Sequence, residues 1–241
     1  MNTVLSDNKT LPLPSLPRLP WRVADEILRR RDWVMSPEEN ARAIPRFMLV
    51  IVASGLFYGA ILGSYNGLNA QGVQQMLYSS LKVPLLLAVT FSLCLPFFFV
   101  FNALLGLRDD LLESLRALAA SQAGMSIILA STAPFTALWY ASFDNYGNAI
   151  LFNAAMFGFA AASSQLLLRD FYGPLIRRDR RHRLMLYVWF IVFAFVGVQM
   201  GWLFRPFVGS PGVEVQFFRD EMFGDNAYVV IWRLIAQAFG G

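Results

Sequence analysis

The chain has 241 residues, 56% of them hydrophobic and only 15% charged, with 22 phenylalanines and a formal net charge of +4. That balance excludes an ordinary soluble domain, and a single cysteine (Cys94) and a single histidine (His182) exclude a disulfide framework and the common multi-histidine metal sets. A basic pI near 9.5 would suit nucleic acid, but the arginines cluster beside apolar runs, so no nucleic-acid partner is expected.

No cleavable leader is read at the start: the first 20 residues lack an apolar core and carry prolines at 12, 14, 17 and 20. Such a stretch favours extended polyproline II. From Trp21 to Val34 the pattern turns helical, with Val23, Ile27, Leu28 and Trp33 apolar and Arg29, Arg30 and Arg31 charged. This segment is expected on the membrane surface, with Trp21 at the interface and the arginines toward lipid phosphate or a partner. "SPEEN" follows as a helix start, Ser36 as N-cap, Pro37 in the first position and Glu39 closing a capping box. Residues 1–46 therefore read as a cytoplasmic arm.

A helix needs about 20 mostly apolar residues to cross a hydrocarbon core of roughly 30 Å. Five stretches meet that length, about 47–66, 83–106, 117–142, 148–168 and 184–205. With these spans, sixteen lysines and arginines fall on the N-terminal side of the membrane and four on the other. The positive-inside rule then puts the N-terminus in the cytoplasm and the C-terminus outside. The expected fold is an all-α, polytopic bundle over 47–206, with an extracytoplasmic tail at 207–241.

Between the first two spans, "NAQGVQQMLYSSLK" spaces Val73, Met76, Leu77 and Leu81 as a short amphipathic helix. In the tail, 226–239 reads as a second short helix. At 1.5 Å per residue it covers roughly 21 Å, too short to span, and is expected on the outer interface.

Gly55, Gly59, Gly63 and Gly67 recur every four residues and share one helix face. Ala154, Gly158 and Ala162 repeat the device in the fourth span, and Gly197 with Gly201 in the fifth. Without large side chains, helix backbones approach closely there, within the bundle or against another subunit. Pro96 and Pro134 interrupt two spans, as kinks or, in a transporter, as places where freed backbone groups line a cavity. Between the helix ends no Asp, Glu, Lys, Arg or His lies in any of the five stretches, which argues against a proton- or sodium-coupled pump.

No catalytic, cofactor or metal residue is read. Asp109, Asp110 and Glu113 fit the acidic first turn of a helix. His182, within "RRDRRHR", reads as a solvated loop histidine. Around it Arg177, Arg178, Arg180, Arg181 and Arg183 form a basic surface for anionic lipid or a partner. At the far end of the fifth span, Trp202, Arg205 and Pro206 read as a structural latch. Trp202 suits the interface, Arg205 snorkels and pairs with carbonyls or Glu214, and Pro206 stops the helix.

Two blocks resemble a group of bacterial polytopic inner-membrane proteins without an assigned function. A Lys-Val-Pro opens one helix (Lys82, Val83, Pro84, then Asn102 and Gly106). A Trp-x-x-Arg-Pro-Phe-Val-Gly motif closes the last (Trp202, Arg205, Pro206, Phe207 and Gly209, then Pro211, Phe218 and Arg219). The resemblance implies a helical fold and a bacterial inner (cytoplasmic) membrane, but no catalytic residue. "DFYGPLI", 170–176, is similar to the Asp-Leu-Tyr-Gly-Pro signature of the five-span Yip family, with Phe171 in place of leucine. There the motif precedes the first span, so only topology is implied.

The expected function is binding without catalysis: an accessory, assembly or scaffold subunit in contact with lipids and with other subunits or itself. The alternative is a transporter or channel component with a midplane site at Pro96 and Pro134.

Overall fold

The structure, a computed structural model, describes residues 19–35, 40–210 and 212–218. The proline-rich start, the Ser36–Glu39 capping box, Pro211, Arg219 and the expected tail helix lie outside the described residues, as does the side chain of Trp33. The described elements are all helical: α1 (Pro20–Leu28), α2 (Asp32–Met35), α3 (Asn40–Gly63), α4 (Ala70–Leu104), α5 (Leu111–Ser142), α6 (Tyr146–Phe171), α7 (Gly173–Arg178) and α8 (Arg181–Leu203). Short 3-10 turns at Ser64–Asn66 and Arg108–Asp110 lead out of α3 and into α5. Five helical stretches are long and apolar enough to cross a membrane: Ala43–Asn66, Ala70–Leu104, Arg108–Ser142, Tyr146–Phe171 and Arg181–Leu203. The chain is thus an all-α, multi-pass membrane protein.

α5 is the central helix. Its most apolar window is 67% buried, against 22% for α6 and 17% for α8. The run "RALAASQAGMSIILA" explains this, since its small residues let neighbours approach a backbone nearly stripped of bulk. α3 and α6 pack on α5, α4 packs on α3, and α8 packs on α4. Asn153 of α6 joins the layers, donating to the Tyr140 hydroxyl of α5 (2.7 Å) and accepting from Tyr58 of α3 (3.5 Å).

α4 departs from expectation. The amphipathic piece before residue 82 and the span after it are one helix of 35 residues, capped by the Asn69 side chain, which accepts from the Gly72 amide. Lys82-Val83-Pro84 therefore lies inside the helix rather than opening it. Its polarity is also inverted. Gly72, Gln75, Ser79 and Lys82 are buried, whereas Val73, Leu77 and Leu81 are exposed. The physical reason is the solvent: beside lipid, the apolar stripe faces outward and polar groups find their partners within the protein.

The glycine face of α3 lies against α4. A Cβ on Gly59 would sit 2.3 Å from the Ser79 carbonyl oxygen, one on Gly63 2.7 Å from that of Gln75, and one on Gly55 3.1 Å from Pro84. Gly67 does not belong to this face. Helix α3 has ended by then, and Gly67 closes the following turn at φ 79° with nothing within 4 Å of a Cβ.

α1 docks on the bundle. Its apolar side is turned to protein, with Val23 and Ile27 fully buried against α3 and α5, while Trp21 is 66% exposed. Arg30 pairs with Asp170 at the end of α6, and the buried Arg116 donates from Nε to the Val34 carbonyl at 2.7 Å. Those polar contacts fix the arm to the bundle rather than to headgroups alone.

Candidate functional site

Where α8 ends, the chain turns back over α4 through a cis Arg205–Pro206 peptide. Three side chains of α4, at spacings of four and three, meet this turn. Lys82 Nζ donates to the Pro206 carbonyl (2.7 Å). Gln75 Nε2 donates to the carbonyls of Phe207 (3.0 Å) and Pro206 (3.3 Å), and the Ser79 hydroxyl donates to that of Phe207. The Lys82 ammonium is fully buried, with the rings of Phe217, Phe218 and Phe207 centred 5.1, 5.8 and 6.0 Å away. A buried cation in such a place is stabilised by aromatic faces and carbonyl oxygens together. Tyr146 of α6 completes the fastening, donating to the Val208 carbonyl (3.3 Å) and accepting from Ser210 (2.7 Å).

The latch expected at Trp202, Arg205 and Pro206 falls at this turn. Arg205 stacks over the Trp202 ring at 3.5 Å, while the carbonyls on its C-terminal side are gripped by Lys82, Gln75 and Ser79. α4 runs straight through Lys82, so the ammonium sits on the same continuous helix as the apolar stretch 83–106. The signal was in the sequence: residues 75, 79 and 82 share one helical face.

Beneath this turn, a groove of about 840 Å³ separates α6 from α8. α6 lines it with Asn153, Ala154, Gly158, Ala161 and Ala162, and α8 with Ala194, Gly197, Val198, Gly201 and Trp202. Leu86, Leu87 and Thr90 of α4 with Met125 of α5 form the floor, and Arg205 to Val208 cover one end. The small residues expected to join helices do not join these two. A Cβ on Gly158 or Gly201 would meet nothing within 4 Å, and one on Gly197 only the Thr90 methyl, at 3.8 Å. Ile150, Phe190 and Val198 on the rim are 45%, 49% and 46% exposed, so the groove opens sideways. Among the described residues that line it, Arg205 carries the one charge.

The arginine-rich end is organised by Asp110. Its carboxylate accepts from Arg178 and lies 3.0 Å from Nε2 of His182, and Glu113 takes a second contact from Arg178 at 3.2 Å. His182 is fully buried, edge-on to the Tyr172 ring, so it is not the solvated loop residue expected. Nor does Asp110 cap α5 with its side chain; it ties the start of α5 to α7 and α8. Burial pushes the Tyr172 phenol well above its usual pKa, so it stays neutral.

The basic surface is exposed throughout. Arg29 pairs with Asp25 (2.7 Å) and Arg181 donates to the Leu105 carbonyl (3.1 Å), while Arg31, Arg177, Arg180 and Arg183 are exposed at the same end. Among the described residues, no group of three or more His, Cys, Asp or Glu is placed to hold a metal ion. Neither Pro96 nor Pro134 borders the groove, and both sit inside continuous helices. Comparison of the chain with protein-family models, curated proteins and solved structures finds no match.

Proposed function

We propose that the chain is a non-enzymatic membrane protein that acts by binding within the bilayer, as a scaffold or accessory subunit, with the α6–α8 groove as its binding place. One observation carries this reading: two flanking helices present small residues to each other across about 840 Å³ of unfilled space that opens sideways. A purely structural bundle gains dispersion energy by closing such a gap, since gaps forfeit contacts. The burial of the one histidine, His182, beside Asp110 supports binding rather than catalysis. The position of Pro96 and Pro134 away from the groove removes the main support for a midplane transport site. The bacterial inner membrane remains the proposed location, with support from the two resembling blocks, which touch each other at Lys82 and Pro206.

The test is to fill the groove. Gly158→Leu with Gly201→Leu places side chains where nothing lies within 4 Å of either Cβ, so the fold has room for them. Native mass measurement after gentle extraction should show bound species on the wild type and their loss from the variant, at similar melting temperature. Identical bound mass on both proteins would refute the reading.

A further inference from the structure

We infer that the arginine-rich end is a docking surface for anionic phospholipid of the leaflet it faces, with phosphates at Arg31, Arg177, Arg180 and Arg183 and acyl chains along the leucines beside them. None of these arginines lines the α6–α8 groove, so the surface stands apart from the binding place proposed above.

The acids at this end hold it together. Asp25 pairs with Arg29, Asp170 with Arg30, and Asp110 and Glu113 with Arg178. The guanidinium groups of Arg31, Arg108, Arg169, Arg177, Arg180 and Arg183 are exposed and have no partner among the described residues. Asp109, exposed beside Arg108, offsets one of these charges. The cations come from three stretches of chain: the arm after α1, the turn between α4 and α5, and the connection from α6 to α8. The Arg30–Asp170 and Arg178–Asp110 pairs, with the Arg181 bond to the Leu105 carbonyl (3.1 Å), bring all three to one end. Each unpaired guanidinium offers planar N–H donors whose spacing matches phosphate oxygens.

Position decides which anion meets them. Arg108 and Arg181 begin two of the membrane-length stretches, and Arg169 lies two residues before the end of a third. The array therefore stands where helices leave the hydrocarbon, at the level of the headgroups. Leu104 and Leu112, four residues either side of Arg108, are 75% and 72% exposed. Leu166 and Leu184, near Arg169 and Arg183, are exposed as well. Trp21 of α1, docked at the same end, adds an exposed interfacial ring. Exposed cations bordering exposed leucines suit a charged headgroup with its acyl chains. An acidic protein would meet the cations, but the leucines continue from them into the lipid-facing sides of the helices, and a phospholipid meets both.

The experiment uses the full chain in vesicles of equal phosphatidylglycerol and phosphatidylcholine with matched acyl chains. Native mass measurement after extraction reads the ratio of the two retained lipids. Wild type should favour phosphatidylglycerol, and less so in high salt, where screening shortens the Debye length from about 10 Å at 0.1 M to about 3 Å at 1 M. One arginine near an anionic surface corresponds to about a fivefold preference. Arg31→Gln, Arg177→Gln, Arg180→Gln and Arg183→Gln together should lower the ratio by about tenfold or more. Lysine at the same four positions should keep most of it, which separates charge from folding. Gly158→Leu with Gly201→Leu should also keep it, which separates this surface from the groove. Undiminished preference in the glutamine variant would overturn the inference, as would an equal loss in the lysine variant. Preference lost on filling the groove instead would move the lipid there and overturn it too. An acidic polypeptide retained by wild type in place of lipid, and released by the glutamine variant, would replace lipid with a protein partner.

Discussion

An ammonium group taken out of water is costly unless its donors are used, and Lys82 shows how this bundle meets that cost. Its donor reaches the Pro206 carbonyl and its charge lies among three phenyl rings. Lys82→Met keeps the length of the side chain and removes both interactions. Unfolding should lose about 2 kcal/mol, and cleavage by protease around residues 207–218 should accelerate. Unchanged melting and unchanged cleavage would show that the turn is held without it. A second residue-scale contrast lies at the other end. Asp110 binds Arg178 and lies against His182, whereas its neighbour Asp109 is exposed. Asp110→Ala should destabilise by about 1–3 kcal/mol, and Asp109→Ala by no more than about 0.5 kcal/mol. Equal melting shifts would contradict the assigned role. Hydropathy hid Lys82 because a window starts a span after a lysine, and it hid His182 because its carboxylate lies 72 residues away.

At the scale of elements, close approach and open space make opposite predictions for chemically identical changes. Gly59→Ala would drive a methyl to 2.3 Å from the Ser79 carbonyl oxygen, and α4 backbone has to move. Overpacking of that kind costs about 1–3 kcal/mol. Gly158→Ala adds a methyl with nothing within 4 Å and should leave thermal unfolding unaltered or slightly improved. Equal losses at the two sites would contradict the assigned helix neighbours. The four-residue spacing of Gly55, Gly59 and Gly63 was legible, because it needs only the helical period. What each small face meets was not, since one periodic pattern serves a packed seam in α3 and an open wall in α6 and α8. The inverted polarity of α4 has a similar cause: a stripe shows which residues share a side, and the solvent decides which side is in.

Across the whole molecule, five long apolar helices stand between two differently built ends. At one, Arg30–Asp170 and Arg178–Asp110 tie arm and connectors to the bundle beneath an exposed arginine surface suited to anionic headgroups. At the other, α4 grips the turn after α8 and thereby roofs the groove. Span number and order were legible from apolar length. The docking of α1 was not, because an amphipathic stripe does not say whether lipid or protein covers it. On the proposed function, the space between α6 and α8 is kept open for an occupant. An experimental map of the full chain in lipid nanodiscs tests this most directly. α6 and α8 should stand apart, with elongated density between them; Gly158 and Gly201 buried in direct contact between closed helices would contradict the binding role of the groove.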